Sequence, residues 1–164
     1  MFLPQNVVQV VLIGLGATVL MDVWLLFLKC LGVQVTNFAL IGRWVGHMAH
    51  GHFAHASIVK ARPIASELSL GWLTHYAVGV AFAGLLVVVQ GIEWLRQPTF
   101  LPALAVGLGT VIVPLFVIQP ALGSGFGAAK TPAPFMTCLR TLINHAVFGS
   151  GLYAAAAFFE WAMR

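Results

Sequence analysis

The sequence predicts an all-α, polytopic membrane protein with four transmembrane helices and a short interfacial helix in its first loop. Three observations carry this. Of the 164 residues, 60% are hydrophobic and only 7% are charged, whereas soluble domains carry roughly a quarter charged residues. Four apolar stretches approach the ~20 residues that a helix needs to cross a bilayer. The eight Lys and Arg residues flank those stretches or lie between them. This composition excludes an ordinary cytosolic enzyme, a disordered tail and a disulfide scaffold, and it makes the lipid bilayer the first partner of the chain.

The first stretch runs from Val7 to Leu31, contains a single acid, Asp22, and closes on Lys29. The segment before it has no cationic region and no small-residue cleavage site, so it reads as a retained helix. Loop one, residues 32–67, begins with Thr36 or Asn37 as the cap of a short helix reaching Ala49. Within it Phe38, Ile41, Trp44, Val45 and Met48 share one side, with Arg43, His47 and His50 opposite. That is the pattern of a helix lying in the interface, its Arg/His side toward headgroups or cytosol.

The second stretch runs from Leu68 to Gln90, the third from Phe100 to Ile118 and the fourth from Cys138 to Met163. In lipid each backbone group must be paired within its own segment, which makes all four helices. Pro114 predicts a kink in the third. Trp72, Trp94 and Trp161 stand at predicted ends, where an amphipathic ring prefers the interface.

Four spans place loops one and three on one face, with loop two and both termini on the other. Lys29, Arg43, Lys60, Arg62, Lys130 and Arg140 fall on the first face, and Arg96 and Arg164 on the second. The bias puts loops one and three in the cytoplasm and both termini outside. Cys30 and Cys138 then lie in a reducing compartment, so no disulfide is expected. The net charge of +4 is read as topological; without a basic run or an aromatic ladder, nucleic acid is not a partner.

A weak internal repeat suggests a 2+2 parallel arrangement within one four-helix domain covering residues 1–164. Gly14-Leu-Gly-Ala-Thr18 in the first span answers Gly107-Leu-Gly-Thr110 in the third. His75-x-x-x-Gly79 in the second answers His145-x-x-x-Gly149 in the fourth. Two-span units keep one orientation, as in parallel-repeat transporters, although small-residue packing motifs also recur in any membrane bundle.

The candidate chemistry lies in two places. In loop one, His47, His50, His52 and His55 form His-x2-His-x-His-x2-His, with Gly51 free to turn the chain back on itself. Neutral imidazoles at this spacing suit a divalent transition metal or a pH-sensing loop; surface histidines without function give the same pattern. Inside the spans, Asp22, His75 and His145 are expensive groups at similar depths, Asp22 roughly 13 Å from its helix end at 1.5 Å per residue. Glu67 and Arg140 stand at the mouths of the second and fourth helices, and Thr18, Thr110, Tyr76, Asn144 and Gln119 add hydrogen-bonding capacity. Such a set can relay protons, hold an ion or simply fix the bundle. Two histidines in separate spans also raise haem ligation, which no cofactor motif supports. The glycine-rich third loop, Gly123 to Lys130, offers backbone amides beside a cation for a phosphate but departs from P-loop spacing.

In order along the chain stand Gly14-x-Gly16-Ala17-Thr18, Met21-Asp22-x-Trp24, Gly42-Arg43-Trp44-x-Gly46-His47, His55-Ala-Ser57-Ile58, Glu67-x-x-x-Gly71-Trp72-x-x-His75-Tyr76, Gln119-Pro120-x-x-Gly123, Thr131-Pro132 and His145-x-x-x-Gly149. Over nearly its full length the sequence resembles the bacterial family of small multi-pass inner-membrane proteins catalogued as domain of unknown function 2938. The resemblance implies a four-helix inner-membrane protein and brings no activity. His50 and His52 fall outside its pattern, which leaves Arg43, His47, His55, Glu67, His75 and His145 as its polar set. The leading expectation is therefore a His/Asp-lined polar site near the cytoplasmic face that binds or moves a small solute, proton or metal ion, with Asp22 as its buried charge. The alternatives are a membrane-embedded metal-dependent enzyme and a non-catalytic accessory subunit, in a homo-oligomer or a larger membrane complex.

Overall fold

A computed structural model describes residues 4–163, all helix, turn or loop. Its elements are α1 (Pro4–Cys30), α2 (Phe38–Met48), α3 (Glu67–Gln90), α4 (Phe100–Gly109), α5 (Gln119–Leu122) and α6 (Pro134–Ala162). α1, α3, the segment Phe100–Leu122 and α6 are 27, 24, 23 and 29 residues long, and each is long and apolar enough to cross a membrane. Their outward faces carry Leu26, Leu73, Val88 and Leu101, each more than 60% exposed. Acyl chains solvate such surfaces and water does not. Arg164, counted above among the outside charges, lies outside the described residues.

The chain divides into two compact units. The first contains α1, the part of α3 from Tyr76 onward, α4 and the part of α6 from Ile143 onward. Its helices approach through small residues. A Cβ on Gly14 would stand 2.6 Å from the Val80 Cα, one on Gly107 2.7 Å from the His145 carbonyl oxygen, and one on Gly151 3.1 Å from the Ala17 Cα. Gly79 lies directly against the Thr18 hydroxyl. With little hydrophobic drive between helices in lipid, such close backbone contact is what holds them. The two repeat motifs thus do the same work, Gly14 packing on the Gly79–Val80 segment and Gly107 on Gly149. Each has a threonine hydroxyl bonded back to its glycine carbonyl, Thr18 to Gly14 at 2.8 Å and Thr110 to Gly107 at 2.7 Å. Ile13, Leu86, Leu95 and Leu152 fill the space between.

Trp94 differs from expectation. Gly91 takes a left-handed φ of +83° and turns the chain into the short helix Ile92–Leu95. The indole is thereby tucked into the core at 5% exposure, with its N–H donating to the Thr99 carbonyl at 3.3 Å.

The second unit contains residues 35–75 and 111–142. Asn37 caps α2, its side chain accepting from the Ala39 amide at 3.1 Å. α2 lies against the first turns of α3 with no side chain between them. A Cβ on Gly42 would collide with the Glu67 carbonyl oxygen, and one on Gly71 with that of Phe38.

Pro114 does more than kink its span. Its ring clashes with the carbonyl four residues earlier, and the α-helix breaks at residue 110. It resumes as a π turn over Pro114–Ile118, in which the Gln119 amide reaches back to the Pro114 carbonyl. A π turn inserts an extra residue and re-aims every side chain after it. The span then runs on through α5 to Leu122, one turn beyond the sequence-based limit, and ends at Gly123 with φ +92°.

Candidate functional site

The side of α2 that carries Arg43 faces inward, contrary to the interfacial pattern. Arg43 is 9% exposed. Its Nε and Nη2 donate to Glu67 Oε2 and Oε1, both at 2.9 Å. Its Nη1 donates to the carbonyls of Ile58, Val59 and Ala61 at 3.2, 3.3 and 3.1 Å. Glu67 Oε2 also accepts from the Ile64 amide at 3.3 Å. The physical reason is the loop itself: Ile58–Lys60 form one short helical turn, and the carbonyls at its end need donors that so short a helix does not supply. The hydrogen bond to Glu67 pushes the Arg43 guanidinium above its ordinary range, against the opposing effect of burial, so it stays a cation at any working pH.

One helical turn on, His47 uses the same loop. Its Nε2 lies 3.0 Å from the Arg62 carbonyl oxygen, which can only accept. Nε2 therefore carries a hydrogen, and in the neutral ring Nδ1 is the acceptor. That Nδ1 lies 2.8 Å from His55 Nε2, so His55 Nε2 is the donor. The rings are 5.0 Å apart between centroids. Gly51, at φ +80°, provides the reversal that returns His55 to His47. His55 is fixed from the other side as well: its amide donates to the Ala121 carbonyl at 2.8 Å, and Gly123 packs directly on the carbonyls of His55 and Ala56.

The chain of hydrogen bonds stops at His55 Nδ1, which is buried and has no hydrogen-bond partner. The other buried side-chain atom of which this is true among the described residues is Gln119 Oε1. It stands on the turn that His55 grips, two residues from Ala121. Of the four loop histidines, then, His47 and His55 meet, while His50 and His52 are exposed. Among the described residues no group of three or more His, Cys, Asp or Glu side chains is placed to hold a metal ion.

The polar residues of the first unit bond from helix to helix. Tyr76 Oη donates to Asp22 Oδ2 at 2.8 Å. Trp24 Nε1 donates to Asn144 Oδ1 at 3.0 Å. His145 Nδ1 lies 3.0 Å from Thr110 Oγ1 and 3.2 Å from the Gly107 carbonyl. Asp22 and His145 belong to this unit and His75 to the second, where its ring packs on Phe38 and Trp72 at centroid distances of 4.5 and 5.8 Å. Loop three is folded on itself: the amides of Gly123, Ser124, Ala128, Ala129, Lys130 and Thr131 all bond to carbonyls within residues 119–128. Few are left to cradle a phosphate.

Sequence reasoning missed the loop carbonyls held by Arg43 and His47, because a backbone acceptor has no signature. It also missed the Gly42–Gly71 approach. The signal was present: two glycines near helix starts, each beside a charged or aromatic residue.

A family model described as a protein of unknown function (DUF2938) matches residues 11–159. No curated protein and no solved structure matches the chain.

Proposed function

We propose, from the premise that this chain belongs to the DUF2938 family of proteins of unknown function, that it binds a proton or small polar solute at the His47–His55 pair and passes it across the membrane its four helices span. The observation that carries this is the imidazole chain. Two titratable rings are bonded nitrogen to nitrogen, anchored at one end on the Arg62 carbonyl and ending at the other in a buried nitrogen without a partner. Buried polar groups are normally satisfied, and an exception calls for an explanation; in this proposal it is a functional role. Arg43 and Glu67 frame the pair and set the loop that holds it. In this proposal the membrane is the bacterial inner membrane and the pair lies on its cytoplasmic side.

A second reading applies to the first unit alone. Asp22, Tyr76, Trp24, Asn144, Thr110 and His145 hold helices together, a role favoured by the fact that each is bonded to a neighbouring helix.

Vesicles reconstituted with the full-length protein and loaded with a pH-reporting dye test both. The wild type is expected to dissipate an imposed proton gradient, while His47→Gln and His55→Gln fall to the rate of protein-free vesicles. Asp22→Asn, which keeps an oxygen for Tyr76, is expected to retain the wild-type rate. Equal rates for the wild type and both histidine variants would end the proposal.

A further inference from the structure

We infer that loops one and three of the second unit form a lipid-recognition surface, on which Phe53, Val59 and Phe126 enter the bilayer interface while Lys60, Arg62 and Lys130 hold the headgroups of anionic phospholipids. Charge is the first observation. Among the described residues the second unit has five cations, Arg43, Lys60, Arg62, Lys130 and Arg140, and one acid, Glu67. The first unit has Lys29 and Arg96 against Asp22, Glu93 and Glu160. The excess positive charge therefore lies in the second unit. Glu67 is committed to Arg43 at 2.9 Å, so the other four cations find no free carboxylate in their own unit, and all four are exposed.

The second observation is what stands beside those charges. Phe53, Val59 and Phe126 are each more than 60% exposed. Acyl chains cover the equally exposed side chains of the spans, but these three lie outside all four spans. Loop two, residues 91–99, treats the same residue types in the opposite way. Its Trp94 and Leu95 are buried, and its Arg96 is paired with Glu93 at 3.5 Å. A loop surrounded by water hides its apolar groups and compensates its charges in this manner. Loops one and three do neither, so their surroundings must supply apolar contact and negative charge together.

The two loops form one piece. The His55 amide donates to the Ala121 carbonyl at 2.8 Å, and the Lys130 amide to the Ser124 carbonyl at 2.9 Å. A Cβ on Gly125 would stand 3.1 Å from Lys130 Cγ, so the Lys130 stem lies along the loop backbone. Arg43 holds the carbonyls on either side of Lys60. A nucleic acid or an acidic protein would satisfy the cations and leave the phenylalanines in water; a neutral apolar partner would do the reverse. The interface of an anionic bilayer offers both. Apolar groups there bury about 5–10 Å deep, headgroup phosphates attract nearby Lys and Arg, and long basic side chains reach from one layer to the other.

The test titrates the full chain in neutral detergent with phosphatidylglycerol and, separately, with phosphatidylcholine, and counts bound lipid by native mass spectrometry. The wild type is expected to prefer phosphatidylglycerol. Each basic residue near an anionic surface contributes roughly fivefold in affinity. The triple variant Lys60→Gln, Arg62→Gln, Lys130→Gln is therefore expected to bind phosphatidylglycerol about a hundredfold more weakly and phosphatidylcholine as before. Arg96→Gln is expected to match the wild type. In phosphatidylglycerol vesicles, the added fluorescence of Phe126→Trp is expected to be quenched by bromines on the upper acyl carbons and not by aqueous acrylamide; this arm needs no change to the cations. Equal wild-type affinity for the two lipids would overturn the inference. So would a loss in Arg96→Gln as large as in the triple variant, or quenching at position 126 by acrylamide alone. None of these readings depends on flux, so the inference stands or falls separately from the transport proposal.

Discussion

Gly42→Ala and Gly71→Ala are each expected to abolish the native second unit. The added methyl would enter the space of a backbone carbonyl, that of Glu67 for Gly42 and that of Phe38 for Gly71. A flexible side chain can swing away from such a methyl, but a carbonyl inside a helix cannot. Overpacking a core by one methyl ordinarily costs about 1–3 kcal/mol; against fixed backbone on both sides the cost exceeds that range, and α2 must separate from α3. Thermal unfolding in detergent, followed by the fluorescence of Trp44 and Trp72, is the measurement. Gly109 is the control, because nothing lies within 4 Å of a Cβ built there. Gly109→Ala is expected to leave the transition in place or raise it slightly through helix propensity.

The second large effect is at Arg43, and Lys should fail to replace it. Lysine keeps the charge but has no planar fork, so it cannot donate from two nitrogens to both Glu67 oxygens while a third reaches the loop. The carbonyls of Ile58, Val59 and Ala61 would lose their shared donor; that of Ile58 keeps the Ala61 amide, and the part-buried carbonyls of Val59 and Ala61 are left to water, at up to about 1–3 kcal/mol each. Arg43→Lys is therefore expected to lower the unfolding temperature of the protein nearly as far as Arg43→Met, and both variants to make residues 52–66 sensitive to protease. A lysine variant with wild-type melting and protease resistance would mean that charge alone holds the loop.

The fold was legible wherever lipid chemistry writes directly into composition. The span limits agree to within about a turn, since a helix that crosses the hydrocarbon core needs about 20 mostly apolar residues and those runs are visible in the composition. A cap at Thr36 or Asn37 was readable because either side-chain oxygen can accept from a nearby amide, and Asn37 is the one that does. Pro114 announced a disruption but not its form, because whether a freed carbonyl is re-satisfied by a bend or by a π turn depends on neighbours the local sequence does not name.

The α2 wheel misplaced the Arg43 side for a related reason. Periodicity identifies two faces but not which of them finds a partner, and Glu67 stands 24 residues away. In the candidate site, Gly51 made the return of His52 or His55 toward His47 foreseeable, whereas the same pattern could not show that His55 would be the one to meet it and that His50 and His52 would stay exposed. For Asp22, His75 and His145, position along a helix gives depth but not direction around the axis. The close contacts that set direction are those of Gly14, Gly79, Gly107 and Gly149.

The central claim is that two half-buried imidazoles are bonded nitrogen to nitrogen. Nitrogen–nitrogen scalar coupling across the hydrogen bond, measured on histidine-labelled protein in lipid, tests it directly. A coupling between His47 Nδ1 and His55 Nε2 that disappears in His55→Gln is the predicted result. Four loop histidines that show no such coupling, and whose ring protons exchange freely with solvent at one common rate, would contradict it.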